Sequence, residues 1–137
     1  LPDNVIPSSN SVMAEVLYLL GEYYGDDSYI QMSASMLNQV TKDILMSEPY
    51  YANWASVMGM ITHQPYEVAI MGKDALEKGK QMLKYYHPTA IFMGGYKENL
   101  PLLENKYIEG RTIIYVCSNK TCKQPVEDVI KALSQLK

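Results

Sequence analysis

Apolar positions recur every three to four residues through the first half of the chain and then give way to short unbroken apolar runs. The first rhythm is that of amphipathic helices, the second that of buried strands. Val12, Val16 and Leu20, with Met13, Leu17 and Tyr24 beside them, predict a helix over Ser11–Tyr24 that buries this face. Gly25 ends it, as glycine does after a last helical turn. Asp26, Asp27 and Ser28 offer N-caps to a second helix over Ser28–Met46. Its expected buried stripe is Tyr29, Met36, Leu37, Val40 and Ile44. Ser47-Glu48-Pro49 stops and restarts the chain, with proline tolerated in a first turn. A third helix follows over Glu48–Ile61, with Tyr50, Trp54, Val57, Met58 and Ile61 on one face. Short links between such helices make antiparallel hairpins.

Past the breaker Thr62-His63-Gln64-Pro65 the pattern changes. Strands are predicted at Glu67–Met71, Thr89–Met93 and the β-branched run Thr112–Cys117. Helices are predicted at Asp74–Tyr86 and Pro125–Leu136, with a short helical turn at Leu100–Glu104. The first of these helices carries Leu76, Met82 and Leu83. The second carries Val126, Val129, Ile130, Leu133 and Leu136. Strands alternating with helices argue βαβ units with a right-handed crossover. The expected fold class is therefore α/β: an N-terminal three-helix segment, residues 1–64, and then a small three-stranded, mainly parallel βαβ module with flanking helices, residues 65–137.

Charge sharpens that boundary. Residues 1–64 hold one basic side chain, Lys42, against seven acidic ones, a balance of −6. Residues 65–137 hold eleven basic and eight acidic side chains, a balance of +3, so the whole stands at −3. A whole-surface nucleic-acid binder is not expected from that balance. The lysines of the second half, such as Lys73, Lys80 and Lys84, fall at helical spacing and read as a solvated face. The 137 residues need no staple to fold. No apolar run approaches the ~20 residues of a membrane span, so no membrane partner is expected. The chain begins Leu1-Pro2-Asp3 without a methionine, which suggests a piece of a longer protein. The working expectation for its location is the cytoplasm.

Two stretches carry a family likeness. Asp3-Asn4-Val5-Ile6-Pro7-Ser8-Ser9-Asn10-Ser11-Val12 resembles the pattern Asp-Gly-Ala-x-Pro-Ser-Gly-Asn-Ser-Val of a family of large thioredoxin-domain proteins. That family includes the spermatogenesis-associated thioredoxin-like protein and many bacterial homologues of unknown function. Asp3, Pro7, Ser8, Asn10, Ser11 and Val12 match, while Asn4 and Ser9 stand where the pattern has glycines. The tail from Cys117 to Pro125 resembles the family's Cys-x4-Cys-x2-Pro ending. The resemblance implies the C-terminal portion of a longer chain, in which a thioredoxin-like domain precedes an (α/α)6 toroid similar to sugar epimerases and six-hairpin glycosidases. The three helices would then close the toroid, and the rest of that longer chain would be the principal partner.

A toroid of that kind places its chemistry at helix ends around its mouth. Asp3 and Asn10 are accordingly the candidate catalytic residues, with Ser8, Ser9 and Glu15 near them, for acid–base work on a sugar-like molecule. The alternative is local: Ser9, Asn10 or Ser11 caps the helix and Asp3 pins the incoming loop. Cys117 and Cys122 flank the loop before the last helix. They read as packing residues, as a disulfide or redox pair, or as half of a metal site. His63 and His87, the only histidines, lie far off in sequence. Should all three strands be parallel, Gly72, Gly94-Gly95 and Cys117 share one sheet edge, where backbone amides could meet an anionic ligand. The plainer reading of these glycines is as turns. No cofactor and no metal is expected. The pairs Tyr23-Tyr24, Tyr50-Tyr51 and Tyr85-Tyr86 each predict one buried and one exposed ring. Exposed tyrosines and Trp54 offer stacking surfaces for a sugar or an oligomer contact.

Overall fold

The computed structural model describes residues 2–136, and of Glu48 the backbone alone. The chain is mixed α/β, with its helices first and a four-stranded sheet after them. It divides into two compact units, one ending at His63 and one beginning at Gln64.

The helical unit holds α1 (Ser9–Tyr24), α2 (Asp27–Met46), a 3-10 turn at Glu48–Tyr50, and α3 (Ala52–Thr62). Ser8 caps α1, its hydroxyl accepting the Ser11 N–H. Gly25 closes α1 in the left-handed conformation at φ 63°. Asp26 caps α2 by accepting the Ser28 N–H at 2.9 Å. The core is Ala14, Leu37, Val40, Ile44, Tyr51, Trp54 and Val57.

The buried face of α1 differs from the expected one. Val12 and Val16 remain 41% and 42% exposed, and Met13 is exposed as well. The buried residues are Ser11, Ala14, Leu17, Tyr18 and Gly21. Close approach decides this. A Cβ on Gly21 would lie 2.4 Å from Ile30 Cγ1, and the Ser33 hydroxyl donates to the Ala14 carbonyl at 2.7 Å. Small residues let the backbones of α1 and α2 near one another, and that contact wins over the bulkier apolar stripe. On α2, Leu37, Val40 and Ile44 are buried as expected, whereas Tyr29 and Met36 are half-buried.

The second unit holds β1 (Tyr66–Met71), α4 (Ala75–Met82), β2 (Ala90–Gly95), a 3-10 turn at Pro101–Leu103, β3 (Ile113–Ser118), β4 (Thr121–Cys122) and α5 (Val129–Ser134). The strand order is β2-β1-β3-β4. β1 pairs parallel with β2, Tyr66 opposite Ala90. It pairs antiparallel with β3, Met71 opposite Ile113. The sheet is therefore mixed and has one strand more than the periodicity indicates. A parallel return needs a long crossover, usually a helix. The segment between β2 and β3 has only a 3-10 turn, so the chain crosses at one end of the sheet and comes back antiparallel.

Both helices of this unit are shorter than predicted. The Asp74–Tyr86 expectation shrinks to Ala75–Met82, which leaves Leu83, Tyr85 and Tyr86 beyond the helix and exposed, while Leu76 is exposed on the helix itself. The Pro125–Leu136 expectation shrinks to Val129–Ser134. Val126 instead exchanges two backbone hydrogen bonds with Ile114, at 2.7 and 3.0 Å. The core is Val68, Ile70, Ala75, Met82, Ile114, Val116 and Ala132.

Candidate functional site

Asp3 is buried and its carboxylate is fully engaged. Oδ1 accepts the Ser8 N–H at 2.8 Å and the Ser11 hydroxyl at 2.6 Å. Oδ2 accepts the Asn53 N–H at 2.9 Å and the Trp54 N–H at 3.4 Å. The Asp3 N–H in turn donates to the Tyr50 carbonyl at 2.7 Å. A carboxylate has about four acceptor positions, and four donors fill them. Burial alone would raise its pKa. The Ser11 hydroxyl and the Ser8, Asn53 and Trp54 N–H groups outweigh burial and hold it below the usual 3.8. This carboxylate stays ionised and faces inward.

The same contacts explain why α3 starts late. Tyr51, the residue before α3, makes no side-chain cap. The free N–H groups of the first turn point at Asp3, about fifty residues earlier, and a helix start needs such acceptors. The predicted single helix from Glu48 is thus split at Tyr51. The structure gathers Asp3, Ser8 and Ser11 into one knot and leaves Ser9 and Asn10 exposed on the first turn of α1. Asp3 and Asn10 present no common polar face: one is buried, the other at the water. Trp54 is 1% exposed, so it offers no stacking surface.

The glycines stand at one end of the parallel pair. The Gly72 N–H donates to the Gly95 carbonyl at 3.0 Å. Gly72 has φ 135°, and a Cβ there would lie 2.2 Å from the Arg111 carbonyl oxygen. The residue is needed where β3 starts against the end of β1. Gly94 lies against the Ile70 carbonyl, and the Tyr96 hydroxyl donates to the Lys73 carbonyl at 2.9 Å. Because β3 runs antiparallel, Cys117 pairs with Glu67, at the opposite end of β1 from Gly72. The single sheet edge expected from three parallel strands does not form.

Cys117 and Cys122 are joined as a disulfide with an S–S distance of 2.08 Å. They are directly opposed across β3 and β4. Asn119 and Lys120 form the turn with φ of 50° and 61°, the left-handed pair that a tight hairpin requires. No glycine signals this turn, so β4 was illegible in the sequence. A second missed feature is Glu98, whose carboxylate accepts the Lys106 and Tyr107 N–H groups at 2.7 and 2.6 Å. The Tyr107 bond, with smaller help from Lys106, holds its pKa down against desolvation. It clips the loop before β3.

A groove of about 670 Å³ runs between α4 and α5, lined by Asp74, Glu77, Lys78, Lys84, Glu127 and Asp128 among others. Lys78 is tied to the Thr112 and Glu127 carbonyls, and Arg111 pairs with Glu127. Among the described residues, no three His, Cys, Asp or Glu side chains are placed to hold a metal ion. Among them too, no helix is long and apolar enough to cross a membrane. No protein-family model, curated protein or solved structure matches the chain.

Proposed function

We propose that this chain is the C-terminal portion of a thioredoxin-domain protein of the family its signature resembles, and that it serves that protein's architecture. On this reading α1 to α3 pack as the last helices of an α/α toroid, and the α/β unit is an appendage to it. The supporting observation is the fate of Asp3. The one buried acid of the signature has all its acceptor positions filled by two helix starts, which leaves none to hold a sugar or move a proton. The exposed Val12, Met13 and Val16 face of α1 is the surface further helices would cover.

The test compares the chain alone with the longer protein. Replacing Val12 and Val16 together by Glu should change the stability of the isolated chain by no more than about 0.5 kcal/mol, as for exposed sites. In the longer protein the same pair should cost several times that, because two charges would be buried without partners. Equal, small effects in both backgrounds would defeat the reading. So would a saturable thermal shift on adding a mono- or disaccharide that Asp3→Asn abolishes.

A further inference from the structure

We propose that the Cys117–Cys122 disulfide is a thiol-responsive clasp: small-molecule thiols open it from Cys122, release β4 and loosen α5, while β1 to β3 stay folded. The inference does not depend on the architectural reading above. It rests on three observations about one hairpin.

The two sulfurs are unequally placed. Cys117 is 1% exposed within β3, whereas Cys122 is exposed on an outer strand of two residues. Exchange depends on access of a thiolate to a disulfide sulfur, so attack enters at Cys122. Second, β4 itself is short, and beyond it the chain is tied to β3 again at Lys123 and at Val126, which pairs with Ile114. The β4 ladder has two residue pairs, Cys117 with Cys122 and Ser118 with Thr121, followed by the Lys123 N–H donating to the Val116 carbonyl at 2.8 Å. By contrast, β1 is paired along its length with both β2 and β3. Third, the hairpin is wired to the final helix. Lys123 Nζ lies 4.9 Å from the centre of the Tyr66 ring and donates to the Gln135 carbonyl just past α5. The Gln135 amide donates to the Gln124 carbonyl at 3.0 Å. Fraying of β4 therefore removes the contacts that seat the end of α5.

The chemistry balances with two equivalents of a monothiol. The first thiolate attacks Cys122 Sγ, forming a mixed disulfide and breaking the bond to Cys117, whose sulfur leaves as thiolate and takes a proton from water. A second thiolate attacks the outer sulfur of the mixed disulfide and releases Cys122 as a thiolate, which is protonated in turn. The protein disulfide gains two electrons, and two monothiols become one small disulfide. A dithiol reductant does the same with one molecule.

The experiment is a titration of the full chain in glutathione redox buffers, read by mass after alkylation and by backbone amide exchange. Reduction should occur with the protein still folded. Alkylation at Cys122 should outpace that at Cys117 by about tenfold or more, following access. Amide exchange at Lys123 and through α5 should rise about tenfold or more on reduction, as in a local opening, with β1 and β2 unchanged. Lys123→Ala, which keeps both sulfurs, should raise exchange in α5 even when the disulfide is intact. A disulfide reduced only when the whole unit unfolds would overturn the proposal. So would reduction that leaves exchange in β4 and α5 as it was, or a protein that retains two free thiols in oxidised buffer.

Discussion

Each unit of this protein is tied by one conspicuous contact, and the two contacts are built on opposite principles. In the helical unit Asp3 joins residues about fifty positions apart without any covalent bond. In the α/β unit a covalent bond joins residues only five apart. The chain-entropy gain of a cross-link grows with loop length. The covalent tie therefore constrains little of the unfolded chain. The carboxylate, by contrast, acts wholly in the folded state, accepting from Ser8 and Ser11 at one helix start and from Asn53 and Trp54 at another. The noncovalent tie should therefore matter more to stability, and the covalent one more to local order and redox response.

Removing Asp3 should have the largest effect. Asp3→Ala should destabilise the helical unit by about 2–4 kcal/mol, from the lost acceptor for the Asn53 and Trp54 N–H groups that start α3 and the lost charge-assisted bonds from the Ser8 N–H and Ser11 hydroxyl. Trp54, the single tryptophan, sits in this core and reports the transition by fluorescence during urea unfolding. A cost below about 0.5 kcal/mol, the range of an ordinary surface change, would mean that the knot is incidental.

Next in size is the close contact of α1 with α2. Gly21→Ala places a methyl group 2.4 Å from Ile30 Cγ1 and 3.1 Å from the Asp26 carbonyl oxygen. Overpacking of this kind costs about 1–3 kcal/mol, against the gain in helix propensity that alanine would bring at an open position. A neutral or stabilising result in the same urea experiment would show that the helices separate at little cost.

The disulfide should rank below the Asp3 contacts. A loop this short is worth about 2 kcal/mol at most on the chain-entropy relation. The double variant Cys117→Ser with Cys122→Ser should lose no more than that, with the loss registered by amide exchange at β4 and α5. A larger loss than that of Asp3→Ala would invert the comparison.

Acid should separate the two ties, since only the carboxylate titrates. Asp3 has a folded pKa below its usual 3.8, so between the two values the unfolded state binds more protons than the folded one. Its ionisation therefore contributes fully above about pH 3.8, and the contribution fades as pH falls through the lower folded value. Wild-type stability should drop in that window. Asp3→Asn should start lower and show a shallower drop, measured by Trp54 fluorescence at pH 7, 4 and 3.

The candidate residues were legible to different degrees. The Asp3 to Ser11 stretch stood out as a motif, and a pinning role for Asp3 was one of its two readings. Its second partner, the start of α3, is fifty residues away and left no local trace. Ser8, not Ser9, Asn10 or Ser11, proved to be the cap, a shift of the kind that cap assignment along a run of four polar residues invites. The cysteines were visible as a pair, but their direct opposition depends on a hairpin turn in which Asn119 tolerates the left-handed conformation readily and Lys120 adopts it without glycine's freedom. The third tyrosine pair also departs from expectation. Tyr85 and Tyr86 are both exposed, because α4 ends before reaching them.

The residue pattern alone set the number of helices in the first unit, the breaker Thr62-His63-Gln64-Pro65, and the cores of β1, β2 and β3. These follow from periodicity and breakers, which act over a few residues. Tertiary structure decided which face of α1 is buried, since only the approach of α2 makes small residues worth more than large ones there. It decided where α3 begins, since the acceptor for its first turn lies at the other end of the unit. It also decided the direction of β3, because strand apolarity carries no sign of orientation and the connection before β3 supplies no helix to carry a parallel return.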